Sequence, residues 1–130
     1  MTALYTYPYS RNYQPAMPVT EIGLGKGGQS EPGLMRLALV DSGADGTLVQ
    51  VDLLDEIGAR LVGAARIKSI LGDSQAADIY LVSLRVGPHL LGALRVVAGA
   101  EGDEIILGRN VLNQLVVTLN GLAGAVEISA

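Results

Sequence analysis

The chain has no cysteine and a single histidine, His89. The first absence removes disulfide scaffolding, thiolate catalysis and cysteine-held zinc or iron–sulfur centres. The second removes most nucleophilic triads and histidine metal sites, because one imidazole per chain is all there is to act as base or ligand. Carboxylates must carry any acid–base chemistry. Lysine and arginine are few and scattered singly, 9 against 13 acidic residues for a net charge of −4. With no basic stripe for phosphates, nucleic acid is not an expected partner. No run approaches the roughly 20 apolar residues of a membrane helix. The N-terminus, MTALYTYPYSRNYQ, has neither a basic segment nor a continuous apolar one. The expectation is a cytoplasmic protein with no membrane partner.

What is present is apolar: 49% of 130 residues, enough for one domain with a real core. Residues 1–18 hold four of the five tyrosines and three of the five prolines, and read as an extended N-terminal arm ahead of a domain over 19–130. Alternation from Val19, a glycine-rich turn at Gly25 to Gly28 and the run Leu34 to Val40 predict a first hairpin. In TLVQVDLLDEIGARL, the spacing of Leu53, Leu54, Ile57 and Leu61 predicts a short amphipathic helix closed by Gly58. Arg66 to Leu71, the turn Gly72-Asp73-Ser74 and the run Ala77 to Val86 predict a long hairpin, with another strand at Leu90 to Ala98. EIILGRNVLNQL reads as a strand, a glycine and a short helix, and VVTLNGLAGAVEIS as a closing strand pair. The expected fold is all-β, a compact barrel with one or two short helices.

An apolar run, a glycine turn and a short helix occur twice, in LALVDSGADGTLV and in DEIILGRNVLNQL, with the carboxylate only in the first. Asp, Ser and Gly are ordinary turn residues, yet the flanking LALV and TLV place this turn near a core, where an ionised carboxylate is costly without a partner. Asp41, Asp45, Gly46 and Asp52 also fit a calcium-loop frame. That frame fails because Gly43 lacks a side-chain oxygen, Asp52 replaces the closing glutamate, and the incoming segment reads as a strand.

The two motifs together resemble the retropepsin-like aspartic proteases. ALVDSGADGTLV matches the apolar-apolar-D-[ST]-G-A-[DS] signature, and IILGRNVLNQL matches apolar-apolar-G-R-[ND] followed by a short helix. The similarity spans roughly Val19 to Ile128 and implies a single-lobe closed barrel that works as a two-fold homodimer. It implies an aspartic endopeptidase acting on peptide or protein substrates, with Asp41 as the catalytic residue and no metal or cofactor. Ser42, Gly43 and Ala44 would complete the active-site loop, with Ser42 bracing the two loops across the axis and Gly43 allowing close approach. Ala44 stands where pepsin-type enzymes carry a hydroxyl that favours the charged carboxylate, so a mildly acidic optimum is expected.

By the same resemblance Asp45 would contact substrate backbone and pair with Arg109, which with Gly108 supports the loop. Leu39 and Ile106 would line substrate pockets, and Gly72 would sit at the tip of a flap closing over the peptide. Relatives often have more glycine at that tip, whereas SILGDS has Gly72 alone and Ser69 where glycine is common. Glu101, Asp103 and Glu104 form an acidic loop before Ile106 that would favour basic substrate residues, or be plain solvated charge. GLGKGG lacks the G-K-[ST] of a phosphate loop and reads as a hairpin turn, as does the region of His89. A rival reading is a non-catalytic dimerisation or peptide-binding module of the same fold.

Overall fold

In the computed structural model, which describes residues 4–68 and 71–129, ten strands and two short helices follow one another. They are β1 (Tyr5–Pro8), β2 (Val19–Lys26), β3 (Leu34–Val40), β4 (Thr47–Gln50), α1 (Val51–Glu56) and β5 (Arg60–Lys68). After them come β6 (Ser74–Val86), β7 (His89–Gly99), β8 (Ile105–Leu107), α2 (Arg109–Leu112), β9 (Val116–Asn120) and β10 (Ala125–Ser129). One sheet runs β2-β3-β8-β4-β7-β6-β5, and β2 also pairs with β6, so six strands close into a barrel and β5 stays outside the ring. The closed all-β lobe is the expected one. No helix among the described residues is long and apolar enough to cross a membrane.

Period-two patterning drives this closure. Val82, Leu84 and Val86 of β6, Ile22 and Leu24 of β2, and Val49 of β4 are fully buried, and Leu54 of α1 and Leu107 of β8 join them. Each such side chain contributes about 1.5–3 kcal/mol through its removal from water. The first hairpin pairs β2 with β3 from Val19↔Leu39 to Leu24↔Leu34, as its alternation predicts. The segment read as an arm contributes β1, which pairs with β10, and β10 pairs with β9 in a separate three-stranded sheet. Tyr5 and Tyr9 pack against the core.

The predicted short helix forms as α1, but it is flanked closely by strands and does not reach Leu61. Thr47 to Gln50 form a strand, parallel to β7 from Thr47↔Val96 to Gln50↔Gly99, because burying Thr47 and Val49 in the barrel outweighs local helical spacing. Helix α1 then ends at Glu56 with Ile57 as its cap, followed by Gly58 at φ +68°, and Leu61 lies on β5, 55% exposed. The internal echo has a structural counterpart. β3 and β8 lie side by side in parallel, Val40 beside Leu107, so Asp41 and Gly108 leave the barrel at neighbouring points.

Candidate active site

Strand β3 ends by handing its backbone to the adjacent strands. Val40 N–H donates to Pro18 O at 3.0 Å, and Asp41 N–H to Leu107 O at 3.1 Å. The chain then turns: Ala44 N–H donates to Asp41 O at 3.2 Å, and Gly43 N–H donates to Asp41 Oδ1 at 2.9 Å. A Cβ at Gly43 would lie 3.1 Å from that same Oδ1, so glycine keeps the donor close without crowding the carboxylate. The turn is not buried as its flanks suggest. Ala38, Val40, Thr47 and Val49 are buried, but Asp41, Ser42, Gly43 and Asp45 are exposed on the single chain. Burial of the flanking strands anchors the loop, which itself stands exposed on the single chain.

Strand β8 and helix α2 grip this loop from beneath. Arg109 N–H donates to Ala44 O at 2.9 Å, its Nη1 donates to Ser42 O at 2.8 Å, and its Nη2 pairs with Asp45 Oδ1. Asp45 is largely exposed, so the value of this pair lies in positioning more than in Coulomb energy. Gly108 has no freedom to be anything larger. A Cβ there would meet Gly46 O at 2.1 Å and Ala44 O at 2.9 Å, both backbone atoms of the acidic loop. This is the physical reason the second half of the echo carries glycine where the first carries aspartate.

Two residues that the sequence reading did not single out complete the support. Thr47, fully buried, donates its hydroxyl to Asn110 Oδ1 at 2.7 Å and accepts from Gly108 N–H at 3.1 Å. Asn110 Nδ2 then donates to Arg95 O at 3.0 Å, tying α2 to β7. The available signal was a threonine opening a buried apolar strand, since a polar group in that place needs partners.

A groove of about 740 Å³ opens beside the loop. Gly43 to Gly46 form one side, Leu48, Val97 and Ile106 give it apolar surface, and the β5–β6 hairpin contributes Ala65 to Lys68 and Ser74. Ile106 therefore stands in the groove with Ala44 and Asp45. Leu39 does not. It lines a second cleft of about 720 Å³ with Tyr13, Asp103 and Glu104, so the acidic loop faces that cleft and not the first groove. Gly72 is exposed at the turn between β5 and β6, at φ +88°, while Ser69 lies outside the described residues. His89 pairs with Val86 at the β6–β7 turn and lines neither cleft. Gly23 to Lys26 of GLGKGG lie on β2, so the expected turn starts later, at Gly27 and Gly28, the latter at φ +87°. No cluster of three or more metal-ligating side chains occurs among the described residues.

Residues 35–114, which contain both motifs, match the family model described as "gag-polyprotein putative aspartyl protease". The chain belongs to this family. No curated protein matches it. Among solved structures it is similar to a retropepsin-like aspartic protease from Rickettsia conorii, with a TM-score of 0.65 and 13% identity over 99% of this chain and 94% of that one. It is also similar to the EIAV protease in complex with an inhibitor, with a TM-score of 0.61 and 17% identity over 83% and 93% of the two chains. At these identities the likeness is one of fold, and that fold is the retropepsin single lobe.

Proposed function

We propose that the protein is an aspartic endopeptidase whose site is completed by a second copy, each chain supplying one Asp41. The observation that carries this reading is the state of Asp41. It is presented on an exposed loop with one oxygen held by Gly43 N–H, Gly43 to Gly46 of the same loop line a peptide-sized groove, and the chain has one D-S-G. Two such carboxylates brought together cannot both ionise easily, so the pair shares a proton. The ionised member takes a proton from water as the oxygen attacks the peptide carbonyl. The protonated member supports the oxyanion, and a proton passes to the leaving amine. In this scheme Ser42 braces the paired loops, Ala44 leaves the carboxylate without a hydroxyl donor, and Asp45 positions substrate backbone. The β5–β6 hairpin, with Gly72 at its turn, acts as the flap over the groove.

The strand edges favour association. Arg60, Arg66, Lys68 and a register shift at Leu61/Gly63 guard β5, and Pro8 guards β1. Strand β9, VVTLN, has no charge and no proline, and its Val116 and Leu119 are 58% and 50% exposed. An uncharged edge of this kind suits pairing with its own symmetry mate. The test compares the protein with its Asp41→Asn variant on a diverse peptide mixture from mildly acidic to neutral pH. Cleavage confined to the unaltered protein is expected. Identical product patterns from both would reject the reading.

A further inference from the structure

Resting on that protease reading, we infer that the groove selects peptides carrying a carboxylate side chain close to an apolar one, with Arg66 and Lys68 receiving the acid. The groove contains three charged side chains, Asp45, Arg66 and Lys68. Asp45 is committed to Arg109, which also holds Ser42 O, so the negative charge within the groove is already answered. Arg66 and Lys68 have no ion-pair partner among the described residues. Two positions apart on β5, they share one face of the strand. Arg66 Nη1 donates to Ser74 Oγ at 3.3 Å across the hairpin, and Lys68 is in register with Ser74, which gathers both cations at the outer end of β5.

The uncommitted charge of the groove is therefore positive, on a chain whose net charge is −4. Leu48, Val97 and Ile106 supply the complementary apolar surface on the barrel side. The acidic loop at Glu101 to Glu104, which by sequence suggested basic substrates, contributes nothing to this groove. Exposed ion pairs are individually weak, and two acting together correspond to about threefold to tenfold in kcat/KM between an acidic and a basic side chain. Salt should narrow that ratio.

The experiment uses peptides identical except for one residue near an apolar side chain, glutamate, glutamine or lysine. Cleavage is measured with the full chain and with the Arg66→Glu/Lys68→Glu double variant, and binding with Asp41→Asn. The unaltered protein should favour glutamate over glutamine over lysine by about threefold to tenfold end to end. The double variant should invert the order, and Arg66→Gln/Lys68→Gln should flatten it. Equal handling of the glutamate and lysine peptides, or an order unmoved by charge reversal, overturns the inference while leaving the protease reading intact. Binding by Asp41→Asn in the expected order, with no cleavage by the unaltered protein, supports the groove assignment and removes the protease reading. No binding and no cleavage removes both.

Discussion

Replacing Thr47 with valine keeps the β-branched shape and deletes one hydroxyl, which isolates the polar link beneath the acidic loop. Thr47 is fully buried, and its hydroxyl both donates to Asn110 Oδ1 and accepts from Gly108 N–H. In Thr47→Val the buried Gly108 N–H is left without a partner, at a cost of about 1–3 kcal/mol. Asn110, half-buried, loses a donor that water replaces only in part, about 0.5–1.5 kcal/mol more. The expected loss is about 2–4 kcal/mol. For a chain of this size, with a urea slope of about 2 kcal/mol per molar, the unfolding midpoint should fall by roughly 1–2 M. Thr47→Ser is the control: it keeps both bonds and gives up a methyl group, about 1 kcal/mol. Equilibrium urea unfolding of all three proteins at one fixed chain concentration checks this, since any self-association adds to apparent stability. A valine variant as stable as the serine variant would refute the reasoning.

Gly108→Ala drives a methyl into the backbone at Gly46 and Ala44; a loss of about 1–3 kcal/mol in denaturant unfolding is expected, with a larger proportional loss of peptidase activity as the loop shifts. Val116→Lys together with Leu119→Lys places like charges along the β9 edge, and sedimentation should show monomers at concentrations where the parent associates. Mixing it with a Val116→Glu/Leu119→Glu partner should restore the larger species if β9 meets β9. Burial raises the Tyr5 hydroxyl above its ordinary value of 10.0, with the Thr20 hydrogen bond opposing and the Glu21 and Tyr7 charges adding. The folded state thus prefers the neutral phenol. This contribution is fully present below about pH 10 and is lost as pH rises through the higher folded value, so Tyr5→Phe should flatten the alkaline fall in melting temperature.

Strand alternation and the two acidic and glycine motifs make most of the barrel and its loop legible in the sequence. Where the sequence reading slipped, competing periods or distant partners were the cause. The stretch Thr47 to Gln50 adjoins a helical spacing, and only its pairing with Val96 to Gly99 makes it a strand. β1 finds its partner in Ala125 to Ile128, at the other end of the chain, and local composition carries no trace of that. The flanks of Asp41 predict a loop near the core, whereas burial changes between Val40 and Asp41 and again between Gly46 and Thr47. Ile106 and Leu39 are registered neighbours on parallel strands, yet they line different clefts, which sequence spacing cannot separate.

The long strand β6 has two parts that tolerate change unequally. From Val82 to Val86 it is held between β2 and β7, whereas from Ser74 to Asp78 it pairs with β5 alone. Substitutions on the outer hairpin, including Arg66 and Lys68, leave the ring of the barrel untouched. Beneath the acidic loop, Gly108 has no space for a methyl group and the Thr47 hydroxyl is engaged as both donor and acceptor. Under the proposed function, descendants of this sequence can thus drift in what they grip while the loop that carries Asp41 stays fixed, with selectivity and chemistry inherited on separate terms.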